Sequence, residues 1–283
     1  MQRIFITGGT GYLGAALVRI ARAQGLTIGA SYFQHLPAPS NEIFWAALDL
    51  QQPASIAAAL DAFAPDVVIH TAFRQYDPDL FAVTAQGAGL VASACAAREI
   101  RLVHISSDVI FDGEAQRPYT EADAPSPITD YGRAKAAAET LVTAAHPHAV
   151  IVRTSLIYGI EPQDMHTRFV LDVASGHKNA TLFTDEIRCP VFVDDLAAAL
   201  LELAALDYAG VLNIAGPEAV SRYRFGVLIA RRWQHDPATL PAGSSLASGL
   251  RRPRNCRLAI ARAQQLLATP LRGVSAVLSA NVE

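Results

Sequence analysis

A rhythm in the first 155 residues constrains this chain more than any other feature. Short, almost wholly apolar runs at 3–7, 26–31, 43–48, 66–72, 101–107 and 149–155 read as strands. Segments of helical periodicity stand among them. The first covers 11–24, with Leu13, Leu17, Ile20 and Ala21 on one face, and it stops at Gly25. Further helices are expected over 53–63, where Pro53 occupies a first-turn position that needs no N–H, and over 80–98 and 131–145. Strands apolar along their whole length must be covered on both faces, which calls for a parallel sheet between layers of helices. Right-handed crossovers then wind the chain in both directions and leave ligands at the carboxyl ends of the strands.

The expected fold class is therefore α/β: a Rossmann-type doubly wound parallel sheet with a smaller, discontinuous α+β substrate lobe. The rhythm breaks after Leu156 and returns briefly in a helix at 194–205 and a strand at 210–215. Residues 1–155, completed by 191–215, are assigned to the dinucleotide-binding domain, and 156–190 with 216–283 to the lobe.

Composition removes other classes of answer. At 283 residues, 51% hydrophobic and 17% charged, the chain has ample material for a core and is no disordered polymer. A net charge of −3 offers no basic field for nucleic acid. Cys95, Cys189 and Cys256 lie far apart, without metal-ligand spacing or a disulfide pattern, and the eight histidines form no metal motif. Neither a leader-like segment nor an apolar run of spanning length is visible, so a soluble, cytoplasmic protein is expected. The partner expected is a small molecule, with no nucleic acid, membrane or metal; a homodimer is the one assembly considered.

Between the first strand and first helix stands Thr7-Gly8-Gly9-Thr10-Gly11-Tyr12-Leu13-Gly14. Glycines at 8, 11 and 14 permit a tight turn and let phosphates approach the backbone. The helix N-terminus supplies free N–H groups and partial positive charge for a pyrophosphate. Gly8, Gly11, Tyr12, Leu13 and Gly14 are thus candidate cofactor contacts. A carboxylate at the end of the second strand would select NAD by binding the ribose 2′-hydroxyl. The chain has Ser31-Tyr32-Phe33-Gln34-His35 instead. Ser31 and His35 can donate to a 2′-phosphate, so NADPH is the expected cofactor, with NADH as the alternative. Asp49 and Leu50 are placed to meet the adenine, or Asp49 to cap the helix at Pro53.

The sharpest chemical signal is Tyr131-Gly132-Arg133-Ala134-Lys135. Positions i and i+4 share a helix face, so phenol and ammonium project together. A phenol of pKa near 10 is a poor acid–base catalyst at neutral pH, and a neighbouring cation makes it more acidic. Ser107 ends the fifth strand, where this architecture binds ligands. A hydroxyl donor and an acidified phenol facing a nicotinamide are what carbonyl reduction requires.

These motifs, with Ser106-Ser107-Asp108-Val109-Ile110-Phe111-Asp112-Gly113, Pro118-Tyr119-Thr120-Glu121, Arg153-Thr154-Ser155, the segment from Gly216 to Tyr223 and Arg252-Pro253, resemble the extended short-chain dehydrogenase/reductases. Within them the chain is most similar to the dTDP-4-dehydrorhamnose reductase group, over nearly its whole length. The resemblance implies hydride transfer to the 4-keto group of a nucleotide-linked deoxysugar. It makes Tyr131 the proton donor, Lys135 the ribose contact that acidifies the phenol, and Ser107 the carbonyl polariser. Thr71, Ala72 and Phe73 would line the cofactor. The chain departs from the group at Thr84, where Asn is usual, at Leu156 for Trp, and in 185–191. There Arg188 is the tentative substrate contact, with Arg251, Arg252 and Arg254 as further candidates for a diphosphate. Two alternatives remain: a non-catalytic NADP-binding subunit, similar to the regulatory subunit of methionine adenosyltransferase, or a nucleotide-sugar epimerase.

Overall fold

Alternate residues of the first strands, Phe5, Val68, Leu102 and Ile151, are buried in one apolar cluster, and this row sets the architecture. A computed structural model describes residues 2–76 and 78–279. In it the chain runs β1 (Arg3–Thr7), α1 (Tyr12–Ala23), β2 (Thr27–Tyr32), β3 (Ile43–Ala47), α2 (Pro53–Phe63), β4 (Val67–His70), α3 (Gly87–Ala96), β5 (Arg101–Ser107), α4 (Asp130–Ala145) and β6 (Val150–Thr154). With the strand Gly210–Asn213 these form a seven-stranded sheet. Its order is that strand, then β6, β5, β4, β1, β2, β3, and the pairs among β1–β5 are all parallel. The order reverses at β1, so the carboxyl end of β1 stands at the switch point where such sheets bind ligands.

The chain divides into two compact units. The first comprises Met1–Ser107, Asp130–Arg153 and Ala197–Leu212; the second comprises Asp108–Thr129, Thr154–Leu196 and Asn213–Glu283. In the first unit α1 packs on β1 and β2. Ile56, Leu60 and Phe63 of α2, Val91 and Cys95 of α3, and Ala138 and Val142 of α4 close the apolar cluster on the sheet.

Segment 80–98, expected as one helix, is interrupted. A π-helical turn at Ala82–Gln86 precedes α3. Inside it the Thr84 hydroxyl donates to the Arg74 carbonyl at 2.7 Å and accepts the Arg74 N–H at 2.9 Å. The residue that departs from the usual Asn thus ties down the loop following β4.

The second unit is built differently. Its strands are two-residue pairs: Val191–Phe192 with Ile157–Tyr158, Val220–Ser221 with Ile187–Arg188, and Ala242–Gly243 with Leu182–Phe183. Its core gathers Tyr158, Leu182, Phe225, Ile229 and Val274 around the helix Arg222–Arg232. Among the described residues no helix is long and apolar enough to cross a membrane, and no cluster of His, Cys, Asp or Glu could hold a metal ion.

Candidate active site

The glycine turn is held by its own backbone and by β2. Gly8 has φ of +70°, which favours glycine, and its N–H donates to the Ser31 hydroxyl at 3.0 Å. Gly9 donates to the Ser31 carbonyl at 2.8 Å, and Gly11 to the Gly8 carbonyl at 2.9 Å. A Cβ on Gly14 would lie 2.1 Å from that same carbonyl oxygen, so no side chain fits there. Helix α1 starts without a side-chain cap hydrogen bond at Gly11 and without an acidic residue in its first turn, and the positive end of such a helix favours an anion. These residues fit a dinucleotide pyrophosphate.

The other cofactor candidates divide by position. Ser31 is buried and ties β2 to the turn. Asp49 accepts the Gln51 N–H at 2.9 Å, while its own N–H donates to Ser55, so it shapes the entry to α2. Leu50 lies in the apolar cluster. Strand β4 ends at His70, which leaves Thr71, Ala72 and Phe73 on the loop beyond it. The Thr71 hydroxyl donates to the Thr7 carbonyl at 2.7 Å, Ala72 lies against Gly8, and the Phe73 ring is half exposed.

Ser107 closes β5, and Tyr131 sits in the first turn of α4. The Phe73 ring approaches the Tyr131 ring at 5.7 Å between centroids, and the Lys135 ammonium lies 5.0 Å from the Phe73 centroid. Lys135 is buried and donates to the Ile105 carbonyl at 2.8 Å. Burial pushes its pKa down to about 8, against the opposing pull of the Glu139 carboxylate. An ammonium held in so closed a place acts on a neighbouring phenol with little screening by water.

Sequence reasoning passed over the groups beneath this pair. Glu139, a further turn along α4, accepts from the Ser106 hydroxyl at 2.5 Å and from Arg153 Nη2 at 2.8 Å. All three side chains are buried. His70 and His104 stack beside them with centroids 5.3 Å apart. Burial, and then the Lys135 charge, push His70 down to about 3, and the same causes push His104 well below the ordinary histidine range. One signal was available: Lys135 and Lys178 are the only lysines among 23 Lys and Arg residues. Where arginine is the habitual cation, a lysine four residues after a tyrosine stands out.

In the second unit Arg188, expected as a substrate contact, is buried. Its guanidinium donates to the carbonyls of Ile187, Pro253 and Arg254, and its Nε lies 3.7 Å from Asp108. It is a strut between that strand and 253–254. Arg251, Arg252 and Arg254 line a cavity of about 310 Å³ with Asp112, Glu114 and Leu246. Arg254 pairs with Glu114 at 2.5 Å and Arg252 with Glu186 at 3.1 Å.

Comparison with known proteins gives the family and the fold. The family model described as RmlD substrate binding domain matches residues 1–282. A protein of Haloferax volcanii named "Probable low-salt glycan biosynthesis reductase Agl14" is 32% identical over 260 residues, 88% of this chain and 85% of its own. The dTDP-4-dehydrorhamnose reductase of Mycobacterium tuberculosis is 33% identical over 285 residues, 96% of this chain and 89% of its own. Among solved structures, dTDP-4-dehydrorhamnose reductase from Bacillus anthracis in complex with NADP superposes with a TM-score of 0.83 at 22% identity. That match covers 98% of this chain and 97% of the other.

Proposed function

The chain belongs to the RmlD substrate-binding-domain family, and on that premise we propose that it is an NADPH-dependent reductase of the keto group of a nucleotide-linked deoxysugar. One observation carries the reading: a phenol on the first turn of α4 is followed one turn later by a buried ammonium. A bound reduced nicotinamide supplies the hydride. The Tyr131 phenol delivers a proton to the oxygen that gains negative charge, and Ser107 donates a hydrogen bond to that oxygen. The Lys135 ammonium favours the phenolate left behind and would be the residue to hold the ribose of the cofactor. The turn from Gly8 to Gly14 holds the pyrophosphate at α1. The absence of a carboxylate from 29–35 favours NADPH over NADH. For the nucleotide portion, the support is Arg251, which lines a cavity of the second unit together with Arg252 and Arg254, each of these two already paired with a carboxylate.

The test is NADPH oxidation by the purified protein against a panel of nucleotide-linked keto-sugars and simple ketones, with Tyr131→Phe alongside. Loss of the general acid should cut kcat about 100-fold or more and leave NADPH affinity nearly unchanged. A wild-type rate in Y131F removes the assigned donor. NADPH binding with no ketone reduced transfers the case to a non-catalytic subunit. Sugar isomerisation without net NADPH oxidation transfers it to an epimerase.

A further inference from the structure

The stripe that carries Tyr131 and Lys135 continues for one more turn. Residues 131, 135 and 139 share a face of α4, and the third is a carboxylate. Glu139 is not left to find its own position. Arg153 on β6 approaches both of its oxygens, with Nε at 3.1 Å and 3.3 Å and Nη2 at 2.8 Å, while Ser106 on β5 donates at 2.5 Å. Two strands of the sheet therefore grip one carboxylate at a fixed height along the catalytic helix. So firm a grip on a buried charge costs desolvation and rarely raises stability above that of an apolar replacement.

We propose that Glu139 is a positioning residue for Lys135: clamped by Arg153 and Ser106, it fixes the register of α4 on the sheet and supplies the negative charge that keeps the buried ammonium protonated. This rests on the reductase reading only for its consequence in turnover.

The surroundings of Lys135 leave that task to Glu139. Lys135 donates to the Ile105 carbonyl on β5 and lies over the Phe73 ring of the loop after β4; its charge acts on the imidazoles of His104 on β5 and His70 on β4, and Tyr131 and Glu139 stand one turn before and after it on α4. The titratable residue of α3, Cys95, lies in the apolar cluster. Both imidazoles are held neutral by burial and bring no negative charge. Arg153 brings positive charge, directed at Glu139 itself. Burial drives the ammonium towards its neutral form, and the Glu139 carboxylate opposes this.

With only two lysines in the chain, the test is direct. Protein labelled with ¹³C-lysine gives two side-chain Cε signals, from Lys135 and from the exposed Lys178, which Lys178→Arg assigns. The Lys135 signal should titrate near pH 8 in the wild type. Glu139→Gln should move that midpoint down by about one pH unit or more, the scale of losing a neighbouring buried charge. Glu139→Asp should restore most of it. Should E139Q fail to fold around an unpaired Arg153, the double replacement E139L/R153L removes both charges and should still show a downward shift, smaller than in the single variant. An unmoved midpoint in any folded variant lacking the Glu139 carboxylate overturns the proposal. In the reductase assay the alkaline limb of kcat/KM should move with the NMR midpoint. If wild-type protein reduces no ketone, the function assigned above fails while the titration still decides the role of Glu139.

Discussion

Replacing Lys135 by Met exchanges a buried ammonium for an apolar chain of similar length, and proton linkage sets how stability then varies with pH. Burial lowers the lysine from its ordinary 10.5 to about 8. Below pH 8 the ammonium is charged in both folded and unfolded chains, and the folded state bears the whole cost of burying it. At about 1.4 kcal/mol per pH unit across that interval, the cost is about 3 kcal/mol. Between pH 8 and 10.5 the unfolded chain binds the proton that the folded chain has released, so stability rises with pH. Above 10.5 the cost is gone. Lys135→Met never carries it, but leaves the Ile105 carbonyl without its donor, a loss of about 1–3 kcal/mol. At pH 7 the two effects nearly cancel. By pH 9.5 the wild type should have gained about 2 kcal/mol relative to the variant. Urea unfolding at the two pH values reads this difference. A Trp233→Phe background leaves Trp45, on β3 in the same unit as Lys135, as the fluorescent reporter. Pairwise subtraction cancels every shared group whose titration the Lys135 charge does not touch, and Tyr131→Phe in both proteins removes the phenol from the comparison. Parallel stability profiles between pH 7 and 9.5 would refute the buried-ammonium reasoning, whatever the effect on activity.

The glycine turn and the buried imidazoles give two further expected outcomes. Gly14→Ala places a methyl group 2.1 Å from the Gly8 carbonyl oxygen, so the turn must open; NADPH affinity should fall about tenfold or more by fluorescence titration, a loss of about 1.4 kcal/mol, and unchanged affinity removes the turn from the cofactor site. His104 is buried with its pKa driven well below 6.5, so folded protein resists a proton that the unfolded chain accepts, and stability is lost as pH falls below 6.5. His104→Leu should flatten that decline by about 1 kcal/mol at pH 5.5 in the same urea assay, and an equally steep acid limb speaks against a neutral buried imidazole.

What the sequence made legible depended on the distance over which each signal acts. The bounds of α2 match the expected 53–63 because Pro53 and the apolar spacing are local. The glycine turn was equally plain, since its glycines lie within eight positions, although Ser31, Thr71 and Ala72 also hold it from farther along the chain. The π-helical turn at Ala82–Gln86 was not visible. In a segment this rich in alanine the one-residue phase shift leaves no mark on the pattern, and the group that engages Thr84 is a backbone ten residues earlier. Arg188, a tentative substrate contact, spends donors on carbonyls some 65 residues downstream, a use that no local pattern announces. Ser31 and Asp49, selected for the cofactor, also shape local turns, a use that their residue types equally permit. In the second unit strands of two residues carry no periodicity at all.

The row of buried polar groups explains why the site lies where it does on the sheet. Phe5, Val68, Leu102 and Ile151 form one apolar row under the helices. Two residues further along the same strands, on the same face, stand Thr7, His70, His104 and Arg153. The face thus changes from apolar to polar within about 7 Å, the rise of two strand residues, as it nears the strand ends where ligands bind. The alternate face is still apolar one residue short of that level, at Ile6, Ile69, Val103 and Val152. Helix α4 crosses that boundary: Ala138 and Val142 sit in the apolar cluster, whereas Glu139 and Lys135 meet the polar row. Burying an ammonium there lowers stability by about 3 kcal/mol below pH 8, on the scale of its displaced titration, and the imidazoles add a cost only as pH falls below 6.5. The apolar row directly below offsets the loss, since each fully buried large side chain contributes about 1.5–3 kcal/mol. A helix anchored in apolar packing at one end can therefore hold a costly charge at the other without shifting. That is the mechanical condition for keeping a phenol and an ammonium in register.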